Sequence, residues 1–224
     1  MHKLAIVGYG KMGRMIEALA EQYGFEIHAR IDVNDDIKLA AGADVAIEFS
    51  TPDAAVGNIE KLAASGVAVV VGTTGWLAEI ERVRSAADAG GIGVVWSPNF
   101  SIGVNVFSKL VKDAAKLLAD EPQYGAWAWE VHHSTKKDAP SGTLLKLVND
   151  MKGAGYERPI DVSSSRAGAH PGTHEVGFDS AADTITLRHT ARNREGFARG
   201  ALKAAQWIQG KKGVFEFSEV LFAR

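Results

Sequence analysis

The chain has 224 residues, 46% of them hydrophobic and 23% charged, with a formal net charge of −2 and no cysteine. That length accommodates one large α/β domain, or a domain with a second, smaller lobe, and the composition is that of a folded protein. The small net charge gives no reason to expect nucleic-acid or membrane partners. No cysteine means no disulfide and no thiolate chemistry, which makes the cytoplasm the expected compartment.

In chain order, apolar runs of strand length alternate with helical patterns through the first hundred residues. Strands are expected at Lys3–Val7, Glu26–Ile31, Val45–Phe49, Val67–Val71 and Gly93–Trp96, with helices at about Lys11–Tyr23, Pro52–Ser65 and Leu77–Ala89. The second helix has a clear start, with Thr51 as N-cap and Pro52 at its first position. Nearly continuous apolar strands joined by helices predict a parallel, doubly wound sheet covered on both faces. After Trp96 the pattern changes. A helix at Gly103–Leu118 places Val106, Leu110, Ala114 and Leu117 along one side. Ala126–His132 alternates as a half-exposed strand, and a helix follows at Ser141–Met151. Gly153–Pro159 and Ser163–Pro171 read as turn-rich, and Thr184–Thr190 alternates again. This part is expected to be an α+β lobe with a mostly antiparallel sheet. A helix at Phe197–Gln209 and an apolar strand at Val214–Leu221 are expected to return to the first domain.

Gly8-Tyr9-Gly10-Lys11-Met12-Gly13 is a G-x-G-x-x-G loop between a strand and a helix. The first glycine permits a tight turn, the second lets a pyrophosphate approach the backbone, and the third lets helix and strand pack closely. The helix start then offers free N–H groups to phosphate. Asp32, at the end of the second strand, is placed to bind both ribose hydroxyls, which favours NADH. Arg30 and Lys11 leave room for NADPH. Gly72-Thr73-Thr74-Gly75 and Ser97-Pro98-Asn99-Phe100 follow the fourth and fifth strands. Gly72, Thr73, Thr74, Ser97, Pro98, Asn99 and Phe100 are therefore candidates for the nicotinamide side, since ligands of such sheets bind at the carboxyl ends of strands.

The densest chemistry lies in Glu130-Val131-His132-His133-Ser134-Thr135-Lys136-Lys137-Asp138-Ala139-Pro140-Ser141-Gly142-Thr143. On a strand, His132 and His133 point to opposite faces unless the strand ends between them. No carboxylate or thiolate set with ligand spacing accompanies them, so no metal is expected. Glu130 shares the face of His132, where it either orients the imidazole or is a plain surface charge. One lysine of the Lys136–Lys137 pair can donate a proton. Ser141, Gly142 and Thr143 open a helix whose N–H groups and hydroxyls can hold a carboxylate, or they simply cap it.

With these residues in view, the chain resembles the dihydrodipicolinate reductase family of bacterial lysine biosynthesis. The likeness rests on E-x-H-H-x-x-K-x-D-A-P-S-G-T at Glu130–Thr143, and on Gly8–Gly13 and Gly72–Gly75. Asn99–Asn105 and Phe197–Ala201 extend it over nearly the whole chain. The resemblance implies a Rossmann-type doubly wound parallel sheet (residues 1–100 and 195–224) that binds the dinucleotide. It also implies an inserted α+β domain (101–194) for substrate and oligomerisation. The implied reaction is NADH- or NADPH-dependent reduction of 4-hydroxy-tetrahydrodipicolinate, a cyclic imine dicarboxylate, to tetrahydrodipicolinate in the route to diaminopimelate and lysine. In it His132 matches the catalytic histidine, Lys136 the proton donor, and His133, Ser141, Gly142 and Thr143 the carboxylate contacts. The family's extra sheet builds a homotetramer. Against the family pattern this chain is shorter, with Gly168–His189 expected to be contracted. The competing readings are a related dehydrogenase of another imino or keto acid, and a non-enzymatic NAD(H)-binding sensor.

Overall fold

Strict alternation along short apolar runs sets the architecture of the first half. The computed structural model describes residues 1–222. The chain divides into two compact units, Met1–Ile102 with Glu195–Arg224, and Gly103–Arg194. The first unit begins with β1 (His2–Val7), α1 (Lys11–Ala20), β2 (Phe25–Ile31), β3 (Val45–Glu48), α2 (Pro52–Ala64), β4 (Ala68–Val71), α3 (Ile80–Gly90) and β5 (Gly93–Trp96). Successive strand side chains point to opposite faces. Leu4, Ile6, Val45, Ile47, Val70 and Val95 therefore enter one core, while Ala5, Val7, Ala46, Val69, Val71 and Val94 enter the other. Helix α1 contributes Ile16, Leu19 and Ala20 to the first core. Helices α2 and α3 close the second with Val56, Ile59, Leu62 and Val83. Both faces are thus covered, as a parallel sheet requires.

The second unit comprises α4 (Ile102–Leu117, its first residue in the first unit), β6 (Gly125–His132), α5 (Gly142–Gly153), β7 (Ile160–Arg166), β8 (Thr173–Asp179) and β9 (Thr184–Thr190). Its sheet runs β7-β6-β8-β9, with β6 and β7 parallel and the other pairs antiparallel. Phe107, Val111 and Ala115 of α4 and Leu144, Leu147 and Met151 of α5 pack on Ala126, Ala128, Val176 and Phe178 of the sheet. This corrects the expected face of α4. Val106, Leu110 and Leu117 are exposed, because a second stripe one residue on, led by the larger Phe107, takes the core. Ser163–Arg166, read as turn, belongs to β7. It lies at the sheet edge with its middle residues exposed, where serines are tolerated. The segment expected to be contracted holds a complete hairpin, β8 and β9, paired from Thr173↔Thr190 to Asp179↔Thr184.

The chain returns to the first unit as α6 (Glu195–Trp207), β10 (Gly213–Glu216) and α7 (Phe217–Phe222). Helix α6 adds Ala198, Ala201, Leu202 and Ala205 to the core shared with α1. The last apolar run is not one strand. Phe217, Val220 and Leu221 have helical spacing, and Phe217 and Val220 are buried on one side of α7. The completed sheet is β10-β5-β4-β3-β1-β2, parallel throughout. Its order reverses at β1, which has β2 on one side and β3 on the other, and crevices for ligands form at such reversals. No helix among the described residues is long and apolar enough to cross a membrane.

Candidate active site

The glycine loop leaves β1 at that reversal, and its three glycines have separate physical reasons. Gly8 has φ of 88°, and a Cβ there would lie 2.2 Å from the Phe49 carbonyl oxygen, so the turn after β1 passes hard against the end of β3. A Cβ on Gly13 would sit 2.6 Å from the Gly8 carbonyl oxygen and 3.1 Å from Ile6 Cγ2. One on Gly10 would meet nothing within 4 Å. Gly10 is also the N-cap of α1, with no side-chain cap and no acidic residue in the first turn. The helix start thus keeps open space in front of uncapped N–H groups, a cradle that fits a pyrophosphate.

Around it, Asp32 is exposed just beyond β2, its Oδ1 accepting from Val33 N at 3.0 Å. Arg30 donates from Nε to Glu17 Oε1 at 2.9 Å, and the Tyr9 hydroxyl donates to the other Glu17 oxygen. The guanidinium therefore already has an anionic partner. Lys11 is exposed, whereas Met12 packs partly into the core. Gly72 could carry no Cβ, which would fall 2.1 Å from the Phe49 ring. Thr73 is buried with its hydroxyl unpartnered, its carbonyl accepting from Trp76 Nε1, while Thr74 is exposed. Ser97 Oγ accepts from Asn99 N at 3.1 Å, and Asn99 Oδ1 accepts from Ser101 N at 2.9 Å, which shapes the turn after β5. Pro98 is exposed in that turn. The Phe100 ring is core, 4.9 Å from the Phe217 ring, so only its backbone remains to meet a ligand.

In the second unit the strand β6 ends at His132, which resolves the two histidines. His132 is buried, while His133 is half-buried beyond the strand with Nδ1 2.7 Å from Thr135 Oγ1. Strand register sets Glu130 beside Ser164 on β7 and His174 on β8, with His189 on β9 next in line. All four point to the helix-covered face. The Glu130 carboxylate is wholly buried. Oε1 accepts from Ser141 N at 2.8 Å, Arg166 Nη2 at 2.9 Å and Ser164 Oγ at 3.1 Å. Oε2 accepts from the Ser141 hydroxyl and lies 3.3 Å from His174 Nε2 and 3.5 Å from His132 Nδ1. Burial works to raise this carboxyl, but the hydrogen bonds from Ser141 and Arg166 outweigh it and hold it below its ordinary value. Burial also pushes His132 down, and Lys136 and Arg166 push the same way against the pull of Glu130. His174 is depressed to about 4, first by burial and then by His132. Both shifts favour the neutral imidazole at pH 7.

Ser141 is the N-cap of α5, its Oγ accepting from Leu144 N at 3.2 Å. With its hydrogen given to Glu130, that hydroxyl is spent inside the protein. Gly142 is exposed with nothing within 4 Å of its Cβ position, and Thr143 is half-buried beside it. Lys136 Nζ pairs with Asp138 at 2.7 and 2.9 Å, and this bond lowers the Asp138 carboxyl. Glu130, His132 and His174 bring ligand-type atoms within 4.8 Å of one another, a grouping completed by His174 from the neighbouring strand β8. The Glu130 carboxylate, however, is already held by the Arg166 guanidinium and by Ser141. A dication would have to displace a cation, and the cluster is a hydrogen-bonded network. Arg166, Ser164 and His174 were not singled out from the sequence. The one available signal was their alternation on strands facing Glu130.

Family models match both parts of the chain: the N-terminus of dihydrodipicolinate reductase over residues 2–100, and its C-terminus over residues 103–221. The chain belongs to the dihydrodipicolinate reductase family. It is 36% identical to the 4-hydroxy-tetrahydrodipicolinate reductase of Christiangramia forsetii, covering 97% of each chain. It is 42% identical to that of an Anaeromyxobacter species over 87% of this chain and 79% of the relative. Its length is thus shared by at least the first of these. The dipicolinate-bound dihydrodipicolinate reductase of Paenisporosarcina sp. TG-14 superposes with a TM-score of 0.83 at 20% identity, covering 98% of this chain and 99% of that one. The fold likeness extends to a scyllo-inositol dehydrogenase of Lactobacillus casei with bound NAD(H), at TM-score 0.54 and 12% identity, over 92% and 87% of the two chains. The chain is an oxidoreductase of the nicotinamide-dependent kind, with the mixed α/β architecture expected of it.

Proposed function

We propose that the chain reduces 4-hydroxy-tetrahydrodipicolinate to tetrahydrodipicolinate in diaminopimelate and lysine biosynthesis. One NAD(P)H and one proton are consumed and the 4-hydroxyl leaves as water. The observation that carries this reading is the geometry of Glu130–Thr143. A lysine ion-paired at 2.7 Å, a buried imidazole and a helix start bare of side chain at Gly142 are gathered within one segment, in a chain of this family.

When bound, the nicotinamide supplies the hydride. Gly8, Gly10 and Gly13 with Tyr9, Lys11 and Met12 form its phosphate cradle, and Asp32 takes the ribose. The segments Gly72–Thr74 and Ser97–Phe100 line the reactive side through backbone and hydroxyl groups. Asp32 being exposed, and Arg30 already paired with Glu17, favours NADH over NADPH, since a carboxylate repels a 2′-phosphate. Lys136 gives up the proton that balances hydride addition, and Asp138 holds its ammonium in place. The N–H and hydroxyl of Thr143 and the His133 ring hold a substrate carboxylate, which the bare Gly142 lets approach the backbone, while the Gly142 N–H already serves the Asp138 carboxylate. Ser141 shapes that cradle from beneath as the cap of α5. Trp127 and Trp129, half-buried on the sheet face opposite α4 and α5, support assembly of a homo-oligomer through the second unit. A light-scattering mass tests that. The reaction itself is tested by following NADH and NADPH oxidation with freshly generated hydroxy-tetrahydrodipicolinate. Cofactor binding without turnover of this substrate overturns the assignment.

A further inference from the structure

His132 has two ring nitrogens, and its environment treats them differently. Nδ1 is buried, without an aligned hydrogen-bond partner among the described residues, and faces Glu130 Oε2 at 3.5 Å. Nε2, on the other side of the ring, lies beside Gly172, where a Cβ would come within 2.9 Å of it. Glycine at this position, with φ of 137°, spares that nitrogen the contact a side chain would make. An ionised carboxylate can only accept hydrogen bonds. A bare Nδ1 lone pair facing it in a buried site would set two acceptors against each other with no donor between, whereas Nδ1–H is attracted. In the neutral imidazole a proton on Nδ1 leaves Nε2 without one. The same logic applies to His174, whose Nε2 lies 3.3 Å from Glu130 Oε2 and 3.2 Å from Ser141 Oγ. The carboxylate itself is held against rotation by Arg166, Ser164 and the backbone N–H of Ser141.

We infer that Glu130 is a positioning residue that fixes His132 in its Nδ1–H tautomer, so that the open Nε2 edge presents a hydrogen-bond acceptor and Lys136 remains the proton donor. This rests on the reductase reading above and deepens it: the histidine orients a donor, on the substrate or on Lys136, and does not protonate the ring itself. The acceptor role follows from a residue on the same strand rather than from His132 alone.

The imidazole nitrogens report the tautomer directly. In the uniformly 15N-labelled full chain at pH 8, without substrate, His132 is identified by the signals lost in His132→Gln. The expected spectrum has a protonated Nδ1 and a bare Nε2. A protonated Nε2, or an average of both forms, in the unmutated chain overturns the inference whether or not any variant folds. In Glu130→Gln the amide can donate, so the tautomer bias is expected to disappear, and kcat to fall about 10- to 100-fold with the NADH Kd unchanged. A variant that folds and keeps the Nδ1–H form overturns the inference equally. If the unmutated chain does not turn over the substrate, the assigned reaction fails while the tautomer result stands by itself.

Discussion

Gly10 and Gly13 lie in one turn of one loop, yet a single methyl should act on them in opposite ways. In Gly13→Ala the new Cβ would lie 2.6 Å from a backbone oxygen, that of Gly8, and backbone cannot rotate aside as a side chain can. Overpacking of this kind costs about 1–3 kcal/mol. Alanine recovers up to about 1 kcal/mol of that through its better helix propensity. A contact this short with backbone takes the upper part of that range, about 2–3 kcal/mol. With about 1 kcal/mol recovered, the net loss is about 1–2 kcal/mol, which lowers Tm by about 2–8 °C for a chain of this size. In Gly10→Ala the Cβ enters open space, and the exchange at an N-cap costs only about 0.5 kcal/mol. Stability barely changes. If the pyrophosphate approaches the backbone at Gly10, however, the same methyl stands in its way. NADH affinity should then fall by tenfold or more, about 1.4 kcal/mol. Urea and thermal unfolding of the two variants, beside fluorescence titration with NADH, separate the effects. Gly10→Ala binding NADH within about twofold of the parent would refute the placement of the phosphates, and an unchanged Tm in Gly13→Ala would refute the packing argument.

Lys136→Ala should lower kcat by about 100-fold or more while leaving NADH affinity intact; stopped-flow turnover beside cofactor titration checks it, and equal loss of both contradicts the donor role. Asp32→Ala should move the NADH/NADPH preference toward NADPH by about tenfold; an unchanged ratio of kcat/KM values means the ribose contact is misplaced. Gly172→Ala combines φ of 137° with a Cβ 2.9 Å from His132 Nε2, so turnover should collapse along with about 1–3 kcal/mol of stability; a fully active variant would remove His132 Nε2 from the site. Stability should also fall in acid. His174 titrates near 4 in the folded chain and near 6.5 when unfolded, so the unfolded state binds the extra proton first. Its contribution, about 3 kcal/mol by linkage, is intact above pH 6.5 and is lost as pH falls toward 4. The depressed His132 works in the same direction, and the depressed Glu130 extends the loss below the ordinary carboxylate range. Urea midpoints at pH 7.5, 6 and 5 test this, and a flat series would mean that the histidines are not buried neutral.

The parts of this molecule that could be read from its sequence are those whose cause is local. Gly8–Gly13 states its turn in adjacent residues, and β1, β3, β4 and β5 state two-sided burial in consecutive apolar ones. His132, Lys136 and Ser141–Thr143 could be grouped because they fall within a dozen positions. Where two local patterns compete, spacing does not decide. On α4, Val106-Leu110-Leu117 and Phe107-Val111-Ala115 are equally helical stripes, and only the volume available against Ala126, Ala128 and Val176 selects the second. At Val214–Leu221 a strand run also contains a helical triplet, and burial of Phe217 breaks the tie. The environment of the site was the least visible, because strand register assembles it. Arg166 stands beside His132, and His174 beside Glu130, only once β7 and β8 have paired with β6. Those distant residues change what the local motif means. A serine that a motif offers to a substrate instead gives its hydrogen to Glu130, and a glutamate that could have been a surface charge becomes the buried anion to which His132, His174 and Ser141 are all referred. On the proposed assignment, the motif supplies the reactive groups and the register decides which of them carry a proton.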